Sequence, residues 1–164
     1  MKRIICLLLI AMTLLALVAC EGGDTAPAFD AYTANGVKIS VREEAAPILE
    51  ALGAYRATAE TNSCYGDGKD RVYEYASFRV QTYSMQGKEY ILSVTVFDDS
   101  DPTNAKTAEG IKLGDTRDAV VAVYGEPSAE DSFKLVYKNT ESKTVLQISL
   151  SNGIVNKIEY LIAE

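Results

Sequence analysis

Two stretches of the chain follow the same pattern, and this internal similarity constrains the fold more than any other feature. The motif Gly-Val-Lys-Ile at 36–39 recurs as Gly-Ile-Lys-Leu at 110–113, 74 residues further on. Each copy continues with a short helical segment that ends in glycine, and then with strands separated by a polar residue and glycine. The matching landmarks are Leu52-Gly53 and Tyr124-Gly125 at the helix ends, and Gln86-Gly87 and Asn152-Gly153 at the turns. The pattern therefore predicts two units of similar structure.

Apolar residues at helical spacing predict one short helix in each unit. Proline is tolerated only in a first turn, so Pro47 places the start of the first helix near Glu44. In the second helix, Asp115 or Thr116 can cap the start, and Gly125 supplies the left-handed position after the end. The apolar faces are Ala45, Ile48, Leu49 and Leu52 in the first helix and Val120, Val123 and Tyr124 in the second.

Period-two alternation indicates strands with one buried face. Leu146, Ile148 and Leu150 point to one side, and the residues between them point to the other. Strands of this kind with one helix per unit predict an α+β fold of two tandem units, each a short helix packed on an antiparallel β-meander. We place the first unit at residues 36–100 and the second at residues 104–164.

The N-terminus reads as an export signal. Two basic residues follow Met1, and an apolar run of 16 residues, interrupted only by Thr13, ends just before Cys20. This run is short for a spanning helix, which needs about 20 apolar residues. Residues 17–20, Leu-Val-Ala-Cys, resemble the lipobox of bacterial lipoproteins, which implies a cleaved signal peptide at 1–19 and diacylglycerol on the Cys20 sulfur. The alternative is an uncleaved N-terminal anchor with an incidental cysteine.

The segment after Cys20 is rich in glycine and alanine and shows no apolar periodicity, which is typical of a tether. We therefore assign residues 20–35 to a lipidated tether that holds the folded part off the bilayer. A strand that begins near Phe29 is the alternative interpretation.

The second unit resembles the small domain of the outer-membrane assembly lipoproteins called SmpA/OmlA. The resemblance covers about 50 residues and rests on Gly114-Asp115-Thr116, on Val123 to Pro127 and on Ser151-Asn152-Gly153. Two such units in tandem are similar to the β-lactamase inhibitory protein family, which binds enzymes with a concave sheet face. This chain lacks the tryptophan and the paired cysteines of that family, so inhibition of β-lactamase is not implied.

The net charge and the cysteines limit the kinds of partner and chemistry that the sequence suggests. Loss of residues 1–19 would leave 14 basic and 23 acidic residues, a net charge of −9, which disfavours nucleic-acid binding. Cys6 would leave with the signal, so Cys64 would be the remaining free thiol. Its neighbours include no cation before Lys69, and we interpret it as a small, packed loop residue rather than a reactive group.

The chain contains no histidine, which excludes catalytic triads, Cys-His dyads and histidine-based zinc sites. The acidic run Asp98, Asp99 and Asp101 lacks the glycine and glutamate positions of an EF-hand, so we interpret it as a solvated linker turn. We expect no enzyme activity, no cofactor and no metal. An envelope enzyme with a lysine or carboxylate site, or a small solute-binding lipoprotein, are the alternatives.

We therefore predict a lipid-anchored, extracytoplasmic module of the cell membrane that acts through protein–protein contacts. Ten tyrosines supply contact area with a polar group, as in many recognition surfaces. The helix-side strip of the first unit is predicted as Phe78, Val80, Tyr90, Leu92, Val94 and Val96. The opposite strip carries the candidate binding residues Arg79, Tyr83 and Phe97, with Tyr83 and Phe97 expected to form an exposed pair.

Overall fold

The computed structural model describes residues 29–163, and within this range the chain is mostly β-structure. Residues 29–163 contain two helices, α1 (Ala45–Leu52) and α2 (Arg117–Tyr124), of eight residues each. The predicted signal peptide and Cys20 lie outside the described residues. The strands are β1 (Tyr32–Ala34), β2 (Val37–Ile39), β3 (Ala57–Asn62), β4 (Lys69–Glu74), β5 (Phe78–Met85), β6 (Lys88–Val96), β7 (Ala129–Asp131), β8 (Lys134–Asn139), β9 (Thr144–Ser151) and β10 (Ile154–Ile162).

Eight of these strands form one antiparallel sheet in the order β3-β4-β5-β6-β10-β9-β8-β7, and β1 pairs with β2 in a separate hairpin. β6 and β10, the last strands of the two halves of the chain, pair with each other at the centre of the sheet, where Val96 lies opposite Ile158. The prediction of two tandem α+β units, each a helix on its own meander, is therefore wrong. The two groups of strands share one sheet and one hydrophobic core, because β6 and β10 pair with each other.

Helix and turn boundaries follow the local sequence signals. α1 begins after Glu44 and ends at Gly53, which has a φ of 77°. The side-chain oxygen of Thr116 accepts a hydrogen bond from the Ala119 amide at 3.2 Å, which confirms Thr116 as the cap of α2. Gly125 follows α2 with a φ of 75°. The predicted turns are confirmed by positive φ at Gln86, Gly87, Asn152 and Gly153.

The core lies on one face of the eight-stranded sheet, which both helices and the β1–β2 hairpin cover. Apolar side chains of the helices and the sheet form one continuous buried cluster there. The alternation predicted for β9 is confirmed, because Leu146, Ile148 and Leu150 are buried and their neighbours are not. Other members of the cluster are Ala45, Ile48, Leu52, Phe78, Val80, Val94, Val96, Val120, Tyr124, Ile158 and Tyr160.

Part of the segment that we assigned to the tether belongs to the folded core. Tyr32, in β1, is fully buried, and its ring packs against Phe78 and Tyr160. Phe29 is half-buried and meets the ring of Tyr124 edge-on, with the ring centroids 6.1 Å apart. The alternative interpretation, a strand that begins near Phe29, describes this segment better, although the strand itself starts at Tyr32.

An irregularity in the β5–β6 ladder reverses the faces to which the side chains in the first part of β6 point. Gln81 pairs with Ser93, but the next residue, Thr82, pairs with Ile91, so Leu92 has no partner on β5. A bulge of this kind moves every side chain beyond it to the other face. The predicted helix-side strip is therefore wrong at Tyr90 and Leu92, and Ile91 is the residue that enters the core.

Candidate binding face of the sheet

The sheet face opposite the helices carries mixed polar, charged and aromatic side chains. Strand register assigns these residues, because alternate residues point to opposite faces and paired residues share a face. We call this surface the open face. It includes Val72, Glu74, Arg79, Gln81, Tyr83, Tyr90, Leu92, Ser93, Thr95, Phe97, Lys134, Val136, Lys138, Val145, Gln147, Ser149, Lys157, Glu159 and Leu161.

Arg79 and Phe97, both predicted as binding residues, come together on this face. The guanidinium carbon of Arg79 lies 4.7 Å from the centroid of the Phe97 ring. Such a cation–π contact attracts the guanidinium to the ring face and so restricts its movement. The Arg79 Nε is buried and has no hydrogen-bond partner among the described residues.

Tyr83 lies at a different place on the open face. It pairs with Tyr90, whereas Arg79 pairs with Thr95, four residues or about 13 Å along β5. Tyr83 is only 6% exposed, so it does not form the exposed pair with Phe97 that we expected. Burial raises its pKa above the ordinary tyrosine value. The structure therefore places the three predicted residues on one face but in two separate groups.

The loop between β3 and β4 explains why Tyr83 is covered. Tyr65 of this loop packs edge-on against the Tyr83 ring, with centroids 4.7 Å apart, and Tyr83 stacks on Tyr90 at 5.7 Å. The loop can lie this close because a Cβ at Gly66 would overlap the carbonyl oxygen of Ser84. We call Tyr65, Tyr83 and Tyr90 the tyrosine row.

A shallow cleft of about 250 Å³ lies beside the tyrosine row. Its apolar wall comes from Leu92, Leu161 and Ile162, while Tyr65 stands at its rim with 42% of its surface exposed. Gln81 and Ser93 supply polar atoms at the same place. Sequence reasoning missed Tyr65 and Leu92 as members of this surface. The two glycines that follow Tyr65, Gly66 and Gly68, were a signal for the close loop, but nothing local indicated the bulge at Leu92.

Glu159 organises the charges at the centre of the open face. Its Oε2 accepts a hydrogen bond from the Gln147 Nε2 at 3.2 Å and forms an ion pair with the Lys157 Nζ, 2.8 Å away. The Glu159 side chain is 16% exposed, so this ion pair is better shielded from water than most surface pairs. The result is a fixed polar centre between the Arg79–Phe97 contact and β9.

A second polar cluster lies on the helix side of the sheet. Both carboxylate oxygens of Glu89 accept from the Tyr73 hydroxyl, at 3.0 and 3.2 Å, and Thr82 and Arg71 also donate to Glu89. Burial, followed by the hydrogen bond to Glu89, raises the pKa of Tyr73 to about 12. These groups are hydrogen-bonded to one another at the edge of the core. We therefore assign this cluster a structural role rather than a binding role.

Cys64 and the acidic run have simple surroundings. Cys64 is an exposed free thiol, so the interpretation of a packed residue is wrong. Asp98 and Asp101 accept backbone N–H groups within their own turn, and Asp101 also accepts from the Asn104 side chain. This last bond lowers the pKa of Asp101. Among residues 29–163 no group of three potential metal-binding side chains is close enough to hold an ion.

Comparisons with known proteins give no relative. No protein-family model, no curated protein and no solved structure matches the chain. The resemblance to the SmpA/OmlA lipoproteins therefore stays a prediction. Neither α1 nor α2 has the length and apolar character needed to cross a bilayer.

Proposed function

We propose that the chain is a lipid-anchored binding or scaffold module of the cell envelope that contacts a protein partner through its open face. The anchor is inferred from the Leu-Val-Ala-Cys motif at the end of the apolar run, which places the lipid on Cys20. The folded domain would then act at the membrane surface, outside the cytoplasm, by contact rather than by catalysis.

One observation carries the binding role: aromatic and cationic anchors occupy the sheet face that the core does not use. Arg79 on Phe97 and the partly exposed Tyr65 on Tyr83 are held in place by ring contacts, so little side-chain freedom is lost when a partner binds. Tyrosine and arginine are enriched among the residues that dominate binding energy. Shallow, mixed surfaces of this kind suit a protein better than a small solute.

Site-specific photocrosslinking in intact cells tests the proposal. A photoreactive amino acid at Gln81, inside the open face, should give a discrete protein adduct. The same residue at Glu50, which is exposed on α1 on the other side of the sheet, is the matched control and should give none. Adducts at Glu50 with none at Gln81 would place the binding surface on the helix side and contradict the proposal.

A further inference from the structure

The two ends of the eight-stranded sheet differ in how they are protected. At one end, β7 has three residues, two of them acidic, and its Glu130 is paired with Arg117 of α2 at 2.5 Å. At the other end, β3 has six residues, all exposed, and Glu60 is its one charged residue. Proteins usually shield edge strands by shortness, charge or cover, because an open edge can pair with another strand. β7 is shielded in this way and β3 is not.

The outward-facing groups of β3 can be identified from its pairing with β4. The Ser63 amide donates to the Gly68 carbonyl at 3.0 Å, and hydrogen-bonded pairs recur at every second residue of an antiparallel ladder. Ala57, Ala59 and Thr61 therefore bond to β4, in register with Glu74, Val72 and Asp70. Residues 58, 60 and 62 direct their backbone N–H and C=O groups away from the sheet.

We propose that this edge is a self-association site, at which β3 of a second copy of the chain pairs antiparallel to join two sheets into one. Residues 58, 60 and 62 of one copy must hydrogen-bond to the same set in the second copy. Two positions of the two-fold axis allow this and still pair five of the six residues of β3: beside Ala59 or beside Glu60. An axis beside Glu60 would set two glutamates directly opposite each other, which is destabilising. The axis beside Ala59 sets each Glu60 opposite Thr58 of the second copy.

This register also fits sterically. On the open-face side of the seam the chain presents only Ala57, Ala59 and Thr61, which are small and uncharged. On the helix side Glu60 keeps its ion pair with Arg71, whose Nε lies 3.4 Å away, since that pair lies within one copy. The inference does not depend on the proposed function, because it concerns a sheet edge that the open-face residues do not include.

Sedimentation velocity of the full chain in mild detergent, over a range of concentrations, tests the association. The protein should sediment as a dimer. Ala59→Lys places two cations opposite each other at the axis and should give a monomer with an unchanged circular-dichroism spectrum. Ala129→Lys, the same change at an exposed alanine of the other edge strand, is the control and should stay dimeric. A monomeric wild type, or equal loss of dimer in both variants, would overturn the proposal.

Disulfide trapping tests the register. Directly opposite residues in a non-hydrogen-bonded pair have Cα atoms about 4.5 Å apart, within the range of a disulfide. In a Cys64→Ser background, Ala59→Cys should form a crosslinked dimer on mild oxidation. Thr61→Cys should not, because the two thiols would lie four residues, or about 13 Å, apart along the strands. Equal trapping at both positions, or trapping of a different protein at position 59, would refute pairing with a second copy.

Discussion

The side chain of Asn104, in the segment between the two halves of the chain, is hydrogen-bonded twice to Asn35 in the β1–β2 turn. The Asn104 Nδ2 donates to the Asn35 Oδ1 at 2.7 Å, and the Asn104 Oδ1 accepts from the backbone N–H of Asn35 at 2.8 Å. Asn104 is 3% exposed, and its backbone carbonyl also accepts from the buried Tyr32 hydroxyl. This pair ties the hairpin to the connection between the halves, 69 residues away in sequence.

Asn104→Ala should lower the free energy of unfolding by about 1–3 kcal/mol, because it removes two hydrogen bonds between the hairpin turn and a buried side chain, each worth about 0.5–1.5 kcal/mol. Urea denaturation measures the change. Thr103→Ala removes an exposed neighbour whose hydroxyl makes no hydrogen bond to any of residues 29–163, and it should have almost no effect. Equal losses in both variants would show that the Asn104–Asn35 pair adds nothing specific.

Sequence reasoning succeeded where the signal was local. The cap at Thr116, the glycines after both helices and the two polar-glycine turns depend on residues within one turn of the chain. The pairing of β6 with β10 has no such signal, because the alternation of apolar and polar residues along a strand is the same whichever strand lies beside it. That is why two separate units were predicted and one sheet was found.

The composition of the open face was predictable in part for the same reason. Arg79 and Phe97 were correctly placed on one face, because β5 runs regularly up to Gln81. Leu92 was assigned to the wrong face because a bulge has no reliable sequence signature. Tyr65 was missed because its contact with Tyr83 depends on how the β3–β4 loop folds back over the sheet.

Glu89→Ala should be more destabilising than Glu60→Ala, although both glutamates pair with Arg71. The Glu89 side chain is 19% exposed and also accepts from Tyr73 and Thr82, so its loss removes the acceptor of the Tyr73 hydroxyl and one of the two acceptors of the Thr82 hydroxyl, and should cost about 2 kcal/mol. The Glu60 side chain is 55% exposed, and its loss should cost less than about 0.5 kcal/mol. Thermal unfolding of the two variants in parallel would reveal the difference, and similar melting temperatures would contradict it.

Stability should fall as the pH rises above 10. Burial raises the pKa of Tyr137 from 10.0 to about 12, and it also raises the pKa values of Tyr32, Tyr124 and Tyr160. Between pH 10 and pH 12 the folded chain therefore holds more protons than the unfolded chain. Their contribution to stability is complete below pH 10 and is lost progressively as the pH increases through this window.

Urea titrations at several pH values measure this loss, and phenolate absorbance reports the ionisation directly. Tyr137→Phe should make the decline with pH shallower, since it removes one of the groups that hold a proton in the folded state. A wild-type stability that is flat above pH 10 would contradict the assignment.

Cys20→Ser should abolish incorporation of labelled fatty acid and leave the signal uncleaved or the protein released from the membrane, because the lipid is proposed to join the Cys20 sulfur. Metabolic labelling followed by fractionation measures both effects. Cys64→Ser is the control, and it should keep the label because its thiol lies in a loop of the folded domain. Fatty acid that persists in Cys20→Ser would exclude this cysteine as the anchor.

Tyr65 and Tyr55 provide the sharpest test of the open face, because they have similar exposure and similar edge-on ring contacts but lie on opposite sides of the sheet. Tyr65 is 42% exposed and packs edge-on against Tyr83, while Tyr55 is 45% exposed and packs edge-on against Tyr73 on the helix side. Tyr65→Ala should weaken partner binding by about 2 kcal/mol, or roughly 30-fold in Kd. Tyr55→Ala should leave binding unchanged.

Melting temperatures separate this effect from loss of folding. Both substitutions remove one exposed ring from one edge-on contact, so they should lower stability by similar, small amounts. Tyr83→Ala, by contrast, removes a ring that is 6% exposed, and it should lower the melting temperature clearly. Binding that falls with Tyr65→Ala while the melting temperature matches that of Tyr55→Ala locates the partner on the open face. Loss of binding with Tyr55→Ala alone would move the contact to the cleft beside Arg71 and Tyr73.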